Sequence, residues 1–179
     1  MPSALYFTDD VQANELLARD PFALLVGFAI DQQVPVQKAF AGPRELEKRL
    51  GTLEPATLAA SDLEPAFKER PAIHRFPASM ARRVQELAAV VSEEYGGDAS
   101  RIWRESRDAN DLQRRLSALP GFGEMKVTTI ASVLAKRFGV EQARALVPNH
   151  PTLGDVDSLQ ALADYQAAKR AHKAEMRAG

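Results

Sequence analysis

Nine consecutive residues, Phe22-Ala-Leu-Leu-Val-Gly-Phe-Ala-Ile30, carry no polar side chain, and Asp20-Pro21 stands directly before them. Aspartate satisfies free amides at a helix N-terminus, and proline is pre-set for the first helical position. The pair predicts a helix from Phe22 to about Gln33, apolar nearly all round. A helix without a polar face lies in the middle of its domain, so the rest of the chain has to surround it. The run is far short of the roughly 20 residues that a membrane span needs.

The remaining sequence supplies that wrapping. Pro, Gly and Asp cut it into short helical stretches over Arg44–Leu50, Pro55–Ala60, Glu64–Lys68, Asp98–Trp103, Asn110–Ala118 and Glu141–Leu146, with Pro35 redirecting the chain. Two longer helices show a clear period. Ser79–Tyr95 aligns Met80, Val84, Leu87 and Val91, and Val127–Phe138 is stopped by Gly139. A last helix starts near Ser158 and runs close to the end. Ser79 and Asp157 read as helix caps, Asp157 with Gln160 at the capping-box spacing. No convincing strand follows the first few residues, and the expected fold is all-α.

Composition removes several function classes. The 179 residues, 45% hydrophobic and 26% charged, are those of one globular domain. Without cysteine there are no disulfides, Cys-based zinc sites or Cys-ligated iron–sulfur clusters. His74, His150 and His172 lie far apart, without metal-ligand spacing, and no metal site is expected. The N-terminus lacks the basic stretch and apolar core of a signal peptide, which points to the cytosol. A net charge of −1 excludes a large non-specific DNA coat but leaves room for local patches. Lys68, Arg70, His74, Arg75, Arg82 and Arg83 form one, and Lys169, Arg170, His172, Lys173 and Arg177 another; either also reads as a solvated helix face.

Between two helices lies Leu119-Pro120-Gly121-Phe122-Gly123-Glu124-Met125-Lys126. Two glycines two apart permit a tight turn that bares backbone amides at a helix N-terminus, where the dipole also favours a phosphate oxygen. Phe122 would plug the turn into the core; a plain connector between packed helices is the other reading. This segment resembles the L-P-G-(apolar)-G hairpin of the helix-hairpin-helix family. Ile30-Asp31-Gln32-Gln33-Val34-Pro35-Val36-Gln37-Lys38-Ala39 is similar to the glutamine segment of its alkyladenine-type DNA glycosylases, and the helix Phe76–Ala88 is similar to the helix between those two blocks. The resemblance covers about residues 20–140. It is closest to a compact branch of the helix-hairpin-helix-GPD base-excision repair superfamily without an iron–sulfur cluster.

The resemblance implies one domain over 1–179, built as two helical lobes with a cleft. The lobe of 20–140 would carry the hairpin 119–126, with the N- and C-terminal helices packed together. It implies a monomeric monofunctional DNA glycosylase that flips a damaged base out of double-stranded DNA and hydrolyses its N-glycosidic bond, near the nucleoid in a bacterium. Glycosylases that also nick the strand hold a lysine where Met125 stands here. Lys126 is one step of about 100° further round and is expected to turn away from the pocket, so no lyase activity follows. At the family's usual spacing the catalytic aspartate would fall on Ala143. The first acids come later, at Asp155 and Asp157. Asp155 is favoured because Gly154 leaves room for a sugar, while Val156-Asp157-Ser158 resembles the segment that carries the acid in many relatives. Gln32, Gln33, Gly121, Gly123, Lys126, His74, Arg75 and Arg82 are the expected DNA contacts, and Met125 and Trp103, with Tyr165, the expected pocket for a base. No cofactor is expected beyond a monovalent cation at the hairpin. The other classes are a non-catalytic DNA-binding module and a helical protein-interaction domain.

Overall fold

Asp20 and Pro21 start the helix around which the molecule is built. In the computed structural model, which describes residues 2–178, the Asp20 carboxylate accepts the Phe22 amide at 2.9 Å and Pro21 opens α2 (Pro21–Ile30). Every residue of α2 from Phe22 to Ile30 is buried, as an all-apolar helix requires. Before it runs α1 (Val11–Arg19), capped by Asp10, and the two pack against each other and against α3 (Val36–Leu50).

Helix α3 begins at Val36, well ahead of the expected Arg44, and contains Pro43. Proline inside a helix forfeits one hydrogen bond, a cost on the order of 3 kcal/mol. The buried stripe Val36, Ala39, Phe40, Pro43 and Leu46 offsets that cost because it keeps helical spacing across the proline. Phe40 lies where α3 crosses α2: a Cβ on Gly27 would come within 2.5 Å of its ring. The ring also stands edge-on to Phe7 and Phe28, with centroids 5.0 Å away in each case.

The short helices α4 (Pro55–Ala59) and α5 (Glu64–Lys68) bury Leu58 and Phe67 beneath α6 (Pro77–Tyr95). The stripe Met80, Val84, Leu87 and Val91 of α6 is buried as its spacing predicts. Pro77 opens this helix and Ser79 makes no cap. Next come α7 (Arg101–Arg104), α8 (Ala109–Ser117) and α9 (Glu124–Phe138), the last stopped by Gly139 in the left-handed conformation. The Arg107 amide and the guanidiniums of Arg115 and Arg114 hold the buried Asp111 carboxyl of α8 below its ordinary range.

Two 3-10 turns, Glu141–Leu146 and Leu153–Asp155, pack on α9, and Gly154 lies so close to Ser132 that an added Cβ would meet its backbone at 2.7 Å. The chain finishes in α10 (Leu159–Ala178), capped by Ser158 rather than Asp157, with Ser158 Oγ accepting the Ala161 amide at 3.0 Å. Its packing partners are the Leu153–Asp155 turn and α3, reached through a mutual amide pair of Gln166 and Gln37 at 2.7 Å. Among the described residues the fold is all-α, and no helix is long and apolar enough to cross a membrane.

Candidate functional site

Helix α2 stops at Ile30, three residues earlier than its sequence suggests, because the chain turns sharply there. The Gln32 amide donates back to the Ile30 carbonyl at 2.8 Å, and Gln33 follows with φ of 59°. A left-handed glutamine is strained and persists only where its surroundings impose it. His74 does so. The Phe76 amide donates to His74 Nδ1 at 3.0 Å, so the proton sits on Nε2, which donates to the Gln32 carbonyl at 2.9 Å. Burial pushes the His74 pKa down and keeps the ring neutral. Expected as a DNA contact, His74 is 0% exposed and buttresses the turn from within. Arg75 and Phe76 next to it are exposed, the guanidinium 4.9 Å above the ring.

One residue beyond the expected set draws the site together. Arg83 of α6 donates to Gln32 Oε1 at 2.7 Å and lies across Gly121, where an added Cβ would fall 2.6 Å from its Nε. Position 121 suits glycine chiefly through its φ of 77°, and a side chain there would also push the flexible Arg83 guanidinium aside. The signal for Arg83 was present in the sequence. It adjoins the Met80–Val84 stripe, whereas the exposed Arg82 points away from it.

The segment 119–126 turns between α8 and α9. Leu119 and Phe122 are buried, while Gly121 and Gly123 are exposed and no side chain caps the start of α9. Its first amides are open to an anion.

Beside the Gln turn and the start of α9 is a partly open pocket of about 170 Å³, lined from α2, α3, α9, α10 and Leu153. Phe28, Val36 and Leu153 are its apolar part; Asp31, Lys126, Thr129, Tyr165 and Lys169 are its polar part. Met125 stands at its rim, 86% exposed. Lys126, expected to turn away, lies on the pocket wall. The crossing of α9 over the end of α2 brings its ammonium to the Ala29 carbonyl at 3.5 Å, where the negative end of α2 favours a cation. Burial lowers the Lys126 pKa, against the pull of Asp31. Asp31 has its carboxyl raised by burial, with Lys169 and then Lys126 opposing. Among the described residues no hydrogen bond or ion pair engages its oxygens.

The two expected acids are placed differently. Asp155 closes the Leu153–Asp155 turn, one oxygen on Lys136 and the other accepting the Thr152 amide at 2.9 Å. Burial works to raise its carboxyl, but Lys136 and Thr152 outweigh this and hold it low. It does not line the pocket, although it and Asp31 both lie near enough to Tyr165 to help raise that phenol, after burial. Asp157 is exposed, and Ala143 is fully buried. Trp103 is 6% exposed and borders a separate cavity of about 320 Å³ with Leu17, Leu24 and Phe138, at the opposite ends of α2 and α9. It shares no wall with the pocket of Asp31. Comparison with known protein families, with curated proteins and with solved structures finds no match to this chain.

Proposed function

We propose that this protein is a monofunctional DNA glycosylase of helix-hairpin-helix type, which flips a damaged base from double-stranded DNA and releases it with water. The observation that carries this reading is the Arg83 junction: one guanidinium joins the strained Gln turn to the glycine hairpin, directly beside a pocket that holds a carboxylate. A phosphate would bind the open amides of α9, with a monovalent cation at the hairpin carbonyls. Gln32 and Gln33 would occupy the duplex beside the extruded nucleotide, and Arg75, Arg82 and Lys126 would add positive charge. On this reading the helices work as two lobes, with the DNA in the cleft between them. The resemblance assigns the acid to Asp155 or Asp157, either of which would stabilise the cationic sugar and position water.

The engagement of Asp155 by Lys136 and Thr152 favours a second reading, a non-catalytic lesion-binding module. Duplex oligonucleotides bearing alkylated, deaminated or oxidised bases, incubated with the protein and treated with alkali, separate the two. Strand breakage at a lesion is the expected result. Salt-sensitive duplex binding without base release from any lesion would replace the enzyme with the module, and absence of binding would end both.

A further inference from the structure

Among the described residues, Asp31 is the one acidic side chain lining the pocket. Its position runs against ordinary electrostatics. It follows the last residue of a buried helix, where the dipole disfavours an anion, and its oxygens lack any partner among the described residues. Lys126 from α9 and Lys169 from α10 act on it through space without closing on it as ion pairs. A charged group held this way leaves its lone pairs turned to whatever fills the cavity. Asp155 has both oxygens committed.

Resting on the glycosylase reading, we propose that the carboxylate acting on the sugar is Asp31, delivered from the end of α2, and not Asp155 or Asp157. Chain continuity with Gln32 gives the proposal its geometry: the turn that would enter the duplex beside the extruded nucleotide carries the acid on its preceding residue. The pocket is smaller than the roughly 300 Å³ at which sites for drug-sized ligands begin, a size suited to a single ring. In the reaction the C1′–N bond breaks and its electron pair leaves on the base. A water oxygen bonds to C1′, Asp31 accepts the proton that this water loses and returns it to solvent, and the released base takes up a proton from water. The products are a free base and an abasic sugar with a C1′ hydroxyl. Until water attacks, the same carboxylate stabilises the positive charge on the sugar.

The test compares base release by the wild type, Asp31→Asn, Asp155→Asn and Asp157→Asn on whichever lesion the wild type cleaves, with melting temperature and affinity for an abasic-analogue duplex measured in parallel. Asp31→Asn is expected to lose roughly 10²- to 10⁴-fold in release rate while keeping its fold and affinity, and the other two are expected to stay within a few-fold of wild type. Asp31→Ala with added formate guards against a folding artefact: a small carboxylate diffusing into the vacated site should restore release. Full activity in folded Asp31→Asn, or loss confined to Asp155→Asn or Asp157→Asn, overturns the assignment and leaves the glycosylase intact. A wild type that releases no base from any lesion overturns the glycosylase reading, and the role of Asp31 falls with it.

Discussion

The two ends of α2 carry the same residue under opposite conditions. Asp20 stands at the N-terminus, accepts the Phe22 amide and benefits from the positive end of the helix dipole. Asp31 follows the C-terminus, meets the negative end and has no hydrogen-bond partner among the described residues. Burial raises both carboxyls and prevails at both; at Asp20 the amides of Ala23 and Phe22 oppose it, and at Asp31 Lys169 and Lys126 do so through space. One end is organised for stability and the other gives some of it up, which is the pattern of a site whose chemistry needs an available charge.

The comparison depends on a rigid middle, so the largest effect is expected there. Phe40→Ala removes the ring packed over Gly27 and should destabilise by about 3–5 kcal/mol, read by urea unfolding; a smaller loss would mean that the two ends are not held by one core. Gly121→Ala comes next. A side chain at its φ of 77° is strained and displaces Arg83, so a loss of more than about 1 kcal/mol should accompany weaker duplex binding. Asp20→Ala deletes the cap and is expected to cost about 1 kcal/mol, while Asp20→Asn retains most of it.

The smallest effect has the opposite sign. Asp31→Asn should stabilise the protein by roughly 0.3–1 kcal/mol at neutral pH, and a loss of that size would show an unrecognised structural role. The gain also depends on pH. With its folded pKa raised by burial against Lys169 and Lys126, the Asp31 contribution to stability is fully present below about pH 4 and is lost as pH rises through the folded value. The difference between Asn and wild type should therefore be absent in acid and open across that window, in which Lys126, Lys169 and Tyr165 on the same wall keep their protons. A difference independent of pH would mean that the Asp31 charge is not what α2 tolerates.

The sequence made the stabilising end easy to read and the site end hard. Asp20-Pro21, the α6 stripe and the glycines around α9 are local signals whose physics is complete within a few residues. Helix α3 was hidden by Pro43, whose penalty outweighs local propensity until the packing of Phe40 and Leu46 is known. Asp31 entered the sequence reading only as part of the glutamine segment, since nothing local marks an acid there for a pocket. Its enclosure depends on α9 and α10, which arrive from far along the chain. The same crossing puts Lys126 on the pocket wall, and Lys136 of α9 ties down Asp155.

Arg83 has a mechanical consequence. Because it bonds Gln32 and rests on Gly121, the Arg83 side chain is a contact shared by the turn, the hairpin and the start of α6. On the DNA-binding reading, a phosphate held at the hairpin would act on the glutamines through this one side chain.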